Sequence, residues 1–241
     1  MTFQNQGGFG QQTDSQGGLA YGQRTDAAVQ SSFLTQAFFW MFAGLLVTAA
    51  VAAFAQFNEN LLGFAADNFF ILIIAQLALA IGIQWGIGRI SATIALGLFF
   101  LYAASLGVTI GLIVSLYTGE SVATAFLSAG AMFGAAALYG YTTKRNLAGI
   151  GGMAYMAMVG LFVAFIVNFF LGSSTIGYIL SFAGVIIFTI LTAWDVQRIS
   201  SGQLVAQLGS VEKAAVIGAL HLYLDFVNLF LFLLRLFGSR R

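Results

Sequence analysis

The chain has 241 residues, of which 60% are hydrophobic and only 7% charged, where soluble domains carry about 25%. That balance excludes a soluble globular domain and describes an all-α protein crossing a membrane several times. A net charge of +1 without basic blocks argues against nucleic acid as a partner. The absence of cysteine removes disulfides, thiolate chemistry and cysteine metal sites.

Residues 1–30 differ from the rest. They are rich in Gln and Gly and poor in aliphatic side chains, the composition of a disordered tail, and they lack the basic start and apolar core of a signal peptide. Residues 31–241 form the membrane domain. A spanning helix needs about twenty apolar residues, and seven stretches qualify: Phe33–Phe57, Phe69–Ile87, Ala92–Tyr117, Val122–Tyr141, Gly149–Leu171, Ile176–Val196 and Ala214–Phe237. The links are short except 58–68 and 198–213, so neighbouring spans run antiparallel in a compact bundle.

Basic residues set the expected orientation. Arg24, Arg89, Lys144, Arg145, Arg198 and Lys213 fall before the first span or in the second, fourth and sixth links, and the other links hold none. The N-terminus is therefore expected in the cytoplasm. Seven spans then put Arg240 and Arg241 outside, against the same rule, unless the last helix enters and returns. Gly82/Gly86, Gly107/Gly111 and Gly130/Gly134 recur four apart, a spacing that lets helix backbones approach. Gln76, Gln84, Ser105, Thr109 and Asn168 read as interhelical hydrogen-bonding groups. Trp40, Trp85, Tyr117, Tyr139, Tyr141 and Trp194 lie near span ends, as interfacial aromatics do.

The last span, AAVIGALHLYLDFVNLFLFLLRLF, carries an aspartate at its middle. At 100° per residue, His221, Asp225, Asn228 and Arg235 fall within about 80° on one face. An ionisable group inside a span costs roughly 2.5 kcal/mol or more, so this line is expected to face protein or water. Asp225 has His221 and Asn228 one turn away on either side, and a purely structural Asp–His–Asn cluster remains one reading. Asp195 ends the sixth span with Thr192 three residues before it; paired loosely with Arg198, it also reads as a plain headgroup-level carboxylate. Arg235, near the far end, is expected to snorkel to the interface.

ALHLYLDFVNLFLFLLRLFG at Ala219–Gly238, TAWDVQRI at Thr192–Ile199, TTKRNLAGIGG at Thr142–Gly152 and QAFFWMFAGLLVTA at Gln36–Ala49 together resemble the Bax inhibitor-1, or transmembrane Bax inhibitor motif, family, in its bacterial branch. The resemblance covers everything but the polar tail. It implies a seven-helix bundle with the last helix central, a pH-sensitive calcium leak in some members, and a di-aspartyl pH sensor at Asp195 and Asp225. Two close carboxylates titrate as a coupled pair: sharing a proton holds the helices together, and losing it leaves charges that repel or bind calcium, which prefers oxygen ligands. The chain departs from the family in two places. An acidic position of the second span looks like Gln76, and a basic one that pairs with the sixth-span aspartate looks like Ile87, so a latch to Asp195 would have to come from Arg89 or Arg198. Depth is a second difficulty. Measured from a plane through Arg198 and Lys213, Asp225 lies about 18 Å up and Asp195 about 4–5 Å.

The expected function is a passive calcium or cation leak gated by Asp195 and Asp225, with His221, Asn228, Arg198 and Arg89 in support. Calcium is the transported or bound ion, the two aspartates are its possible ligands, and no cofactor is expected. The alternative is a non-conducting regulator that binds partner membrane proteins in stress responses or proteolysis. No enzymatic activity is expected: the contexts Trp194-Asp195 and Leu224-Asp225 do not match intramembrane aspartyl proteases, and the chain has no proline for their Pro-Ala-Leu segment. Neither lysine lies within a span to hold retinal, and His221 has no serine at helical spacing.

Overall fold

The computed structural model describes residues 14–240, with side chains from residue 32. Nine helices cover them: α1 Asp14–Gln56, α2 Glu59–Asp67, α3 Phe69–Gly86, α4 Ala92–Ser115, α5 Gly119–Thr142, α6 Ala148–Leu171, α7 Ser174–Ser200, α8 Gln203–Leu208 and α9 Val211–Phe237. Seven are long and apolar enough to cross a membrane: α3 to α7, α9, and the Ser32–Gln56 part of α1. The chain is an all-α membrane protein with the seven spans expected. The tail expected over residues 1–30 lies outside the described residues as far as 13; from Asp14 the backbone runs as helix into the first span.

Polar side chains set where the helices begin. Asn58, Ser91, Thr118, Ser173 and Ser210 each accept a hydrogen bond from the amide three residues on, satisfying donors that a helix start leaves open. The two long links are not plain connections, since each contains a short helix. Gly202 and Gly209 bracket α8 with φ of 73° and 65°, the left-handed backbone that glycine adopts without steric cost. Helix α7 also outruns its expected end at Val196, and α9 starts before Ala214. Gln197, Arg198, Glu212 and Lys213 are too polar for a hydropathy pattern, yet they are good helix formers.

Of the three glycine pairs, one makes the expected close approach. A Cβ at Gly107 would stand 2.8 Å from the Thr48 carbonyl, and one at Gly111 would stand 2.9 Å from Ala55, so α4 lies directly on α1. The other two pairs correct the expectation: Gly82, Gly86, Gly130 and Gly134 meet nothing within 4 Å. Gly140 and Gly151 do the work instead, receiving the Ala193 carbonyl and the Trp194 ring of α7. Trp194 and Tyr117 are accordingly packing residues rather than free interfacial aromatics, whereas Trp85, Tyr139 and Tyr141 are exposed.

The last helix is the most enclosed of the seven spans. Its backbone neighbours are α1, α4, α5, α7 and α8, while α3 and α6 reach it with side chains, Gln84 to His221 and Phe165 to Phe232. It is continuous to Phe237, after which the Thr118 amide donates to the Ser239 carbonyl at 3.1 Å and the Ser239 amide to Ser121 Oγ at 2.9 Å. The chain therefore does not turn back, and Arg240 sits beside the α4–α5 link, at the opposite end from Lys144 and Arg145.

These contacts set apart two glycines of α5. Gly140→Ala drives a methyl into the Ala193 carbonyl and is expected to cost about 1–3 kcal/mol, seen as a lower thermal unfolding midpoint. Gly130→Ala, facing open space within a helix, is expected to be neutral or stabilising by up to about 1 kcal/mol in the same assay.

Candidate functional site

The register between α7 and α9 decides which side chains can meet. A Cβ at Gly218 would lie 3.1 Å from Ile199, and one at Gly184 would lie 2.5 Å from the Phe232 ring. Counting seven residues on from Gly218 reaches Asp225, and seven back from Ile199 reaches Thr192. Asp195 is then level with His221 and Leu222. The depth difficulty disappears because α9 begins about 10 Å beyond the level of Ile199, at 1.5 Å per residue, and it is buried from Ala214 onward, with Ala37 of α1 beside Gly218.

The contacts follow this register. His221 Nδ1 lies 3.6 Å from Asp195 Oδ1, the one acid–base approach within 4.0 Å among the described residues. His221 Nε2 is 3.1 Å from Gln84 Oε1 of α3. Thr192 is level with Asp225 in this register, and its hydroxyl donates to the Phe188 carbonyl of its own helix at 2.8 Å. Asp225 Oδ2 is buried without a hydrogen-bond partner. Asp225 is 4% exposed and Asp195 8%, so both carboxyls sit within protein rather than against lipid.

Other expected partners are placed elsewhere. Arg198 does not pair with Asp195: its Nη2 donates to Gln207 Oε1 at 2.8 Å and its guanidinium lies over the Trp194 ring. Arg89 is exposed at the end of α3 and makes no latch. Asn228 donates to the Leu224 carbonyl of its own helix at 2.8 Å, so a closed Asp–His–Asn cluster does not form. Arg235 rests on Phe165 and reaches Gly177. The partner of Asp195 is thus a histidine on the same helix as Asp225.

Two features were invisible in the sequence. Gln197, two residues after Asp195, accepts from the Leu147 amide and donates to the Arg145 carbonyl, both at 2.8 Å, so TAWDVQRI and TTKRNLAGIGG are joined. On the opposite face of α9 from Asp225, the buried Tyr223 hydroxyl meets Thr48 of α1, which also contacts the Ala103 carbonyl of α4. Both Gln197 and Tyr223 look unremarkable in a chain of Gln- and Tyr-containing spans, and no spacing rule pairs residues 50 or 175 positions apart.

The arrangement can hold and release protons between two helices. Its carboxylate oxygens and the Thr192 hydroxyl can also meet a hard cation, since calcium takes oxygen ligands. Among the described residues no group of three His, Cys, Asp or Glu side chains converges as a metal cluster. The Gln197 clamp gives a separate expectation: Gln197→Ala leaves the Leu147 amide unpaired, at about 1–3 kcal/mol for a buried donor, read as a lower unfolding temperature.

Comparison with known proteins agrees with this architecture. A family model described as "Inhibitor of apoptosis-promoting Bax1" matches residues 30–241. The chain is 43% identical over 229 residues to inner membrane protein YbhL of Escherichia coli strain K12, covering 90% of this chain and 98% of that one. A Borreliella burgdorferi protein is 37% identical over 225 residues, covering 91% and 97%. A Deinococcus radiodurans protein is 39% identical over 210 residues, covering 87% and 91%. The chain belongs to the Bax inhibitor-1 family.

Proposed function

We propose that this protein is a passive cation leak, with calcium its main ion, gated by protonation of Asp195 and Asp225. The observation that carries the reading is a buried carboxyl, Asp225, in the middle of the most enclosed span, with one oxygen unpartnered and a second carboxyl on the adjoining helix. A structural carboxylate in a span finds partners for both oxygens; one left open is suited to a group that exchanges protons or meets an ion in transit.

With a proton shared at this level, α7 and α9 stay together. Without it, two like charges face each other at low dielectric and the helices separate, giving a path edged by oxygen atoms. Two carboxylates and the Thr192 hydroxyl supply at most five oxygens, fewer than the six to eight calcium takes. Water completes the shell, and the ion is held weakly enough to leave. The sign follows: the closed form binds more protons, so the leak rises as pH rises.

Basic residues at one end and the YbhL likeness extend the reading to placement. The protein sits in a bacterial plasma membrane with its N-terminus, Lys144, Arg145, Arg198 and Lys213 in the cytoplasm.

Calcium-loaded liposomes test the gate. Wild-type flux is expected to climb with pH by no more than about tenfold per unit, the limit for one controlling proton, and the Asp195→Asn, Asp225→Asn double variant to lose this dependence. A double variant with the wild-type profile refutes the reading. Placement is tested through the absence of cysteine. Single cysteines at Lys144→Cys and Arg240→Cys are expected to react with an impermeant thiol reagent from the cytoplasmic and outer sides respectively; the reverse pattern inverts the topology.

A further inference from the structure

Arg235 closes the last span without a counter-charge. Among the described residues it makes no hydrogen bond or ion pair, although Glu59, Asp67 and Glu120 lie in the links at its end of the bundle. A place in the last turn of α9 suits a cation, because the helix carbonyls point that way. The five donors of the guanidinium are nevertheless left open.

The open group is held in one position. Its central carbon lies 5.6 Å from the centre of the Phe165 ring of α6, within cation–π range. That ring is in turn stacked on Phe232 at 5.6 Å and 11°. Arg235 Nη2 occupies the space that a Cβ at Gly177 of α7 would fill, and Asn168 Nδ2 of α6 would stand 3.2 Å from the same Cβ. Two donors from different helices thus converge over one glycine, with no acceptor among the described residues. Asn168 is 6% exposed, and its Oδ1 is buried without a partner. Turning that amide round would give Arg235 one acceptor and leave its other donors open.

Depth narrows what can fill the gap. The 24 residues of α6 rise about 36 Å, against a hydrocarbon core of about 30 Å. A centred helix crosses the core boundary about 3 Å from its end, and Asn168 stands about 4.5 Å from Leu171. The convergence therefore lies where the headgroup region begins. Next to Asn168 and Gly177 in the chain are the exposed Phe169, Phe170 and Tyr178, an apolar surface for acyl chains.

We propose that Arg235, with Asn168 and Gly177, forms a seat for the phosphate diester of a membrane phospholipid, at the end of the bundle opposite Lys144 and Arg145. The planar fork of the guanidinium matches two phosphate oxygens, the Asn168 amide adds a donor, and Gly177 leaves room for the fork between α6 and α7. One cation with no acid beside it favours a headgroup of net negative charge over a zwitterionic one. The bound lipid ties α6 to α9, which it otherwise meets through side chains. The seat is about 15 Å along α9 from Asp225 and does not depend on the gate.

The test titrates the purified protein in detergent with phosphatidylglycerol, with diacylglycerol of the same chains, and with inorganic phosphate. It reads the thermal unfolding midpoint and, by native mass spectrometry, retained lipid. Phosphatidylglycerol is expected to raise the midpoint saturably, with a single lipid retained, and the other two to leave it unchanged. Arg235→Gln is expected to weaken phosphatidylglycerol binding about tenfold or more, the loss of a charge-assisted pair. Gly177→Ala is expected to weaken it while keeping every charge. Arg240→Gln removes the same charge at the same end but outside the seat, and is expected to bind as wild type. Each shift is read against that variant's own lipid-free midpoint, so lost stability does not imitate lost binding. Full binding by Arg235→Gln or Gly177→Ala, or an equal loss in Arg240→Gln, overturns the seat. Diacylglycerol acting as well as phosphatidylglycerol overturns phosphate recognition, and inorganic phosphate doing so overturns the lipid as its source.

Discussion

Where α7 crosses α9, glycine takes the place of a side chain on each helix in turn: Gly184 under Phe232, Gly218 beside Ile199. Those two contacts allow no sliding, because a shift of one residue would turn each glycine away and bring a larger side chain against the neighbouring helix. Protein interiors tolerate such overlap poorly. The register is therefore fixed by packing of apolar and glycine residues. The polar groups sit at the levels this register gives them, with Thr192 opposite Asp225 and Asp195 opposite His221. The chemistry of the site is a consequence of how closely two backbones approach on either side of it, at Gly218 and at Gly184.

The same constraint explains why polar side chains are affordable in so apolar a chain. Several of the other buried polar groups are tied to a partner on a different helix. Gln76 donates to Thr109 and the Ser105 carbonyl, Tyr223 meets Thr48, and Gln197 holds the α5–α6 link. In the absence of water, such bonds are the alternative to an unsatisfied group in hydrocarbon. Against that background three buried atoms are left open: Asp225 Oδ2 and His221 Nδ1, on neighbouring turns of α9, and Asn168 Oδ1 of α6.

Much of the frame was legible in the residues. Hydropathy located all seven spans to within a few positions, and the mid-span position of Asp225 marked the last helix as the one to watch. What escaped was anything that depends on which helix faces which. Gly107 and Gly130 have the same local spacing, yet one touches α1 and the other touches nothing. Arg198 has the charge and proximity to pair with Asp195, but its helix end directs it to Gln207. Gln84 looked like an isolated amide, because its partner lies 137 residues away. Amphipathic helix ends were missed for a simpler reason: polar residues lower hydropathy without breaking a helix.

The short tie between Ser239 and the α4–α5 link bears on how α9 can move. It moors one end of a rod about 40 Å long, with Asp225 near the middle and His221 toward the other end. A rod fixed at one end swings as a lever with that mooring as fulcrum. Asp225 is about 18 Å from it along the axis, so a swing of about five degrees displaces the carboxyl by about 1.5 Å and the entrance of the helix by more than twice as much. Such a motion widens the bundle as a wedge, greatest at the end that carries Lys213, and leaves the opposite end closed.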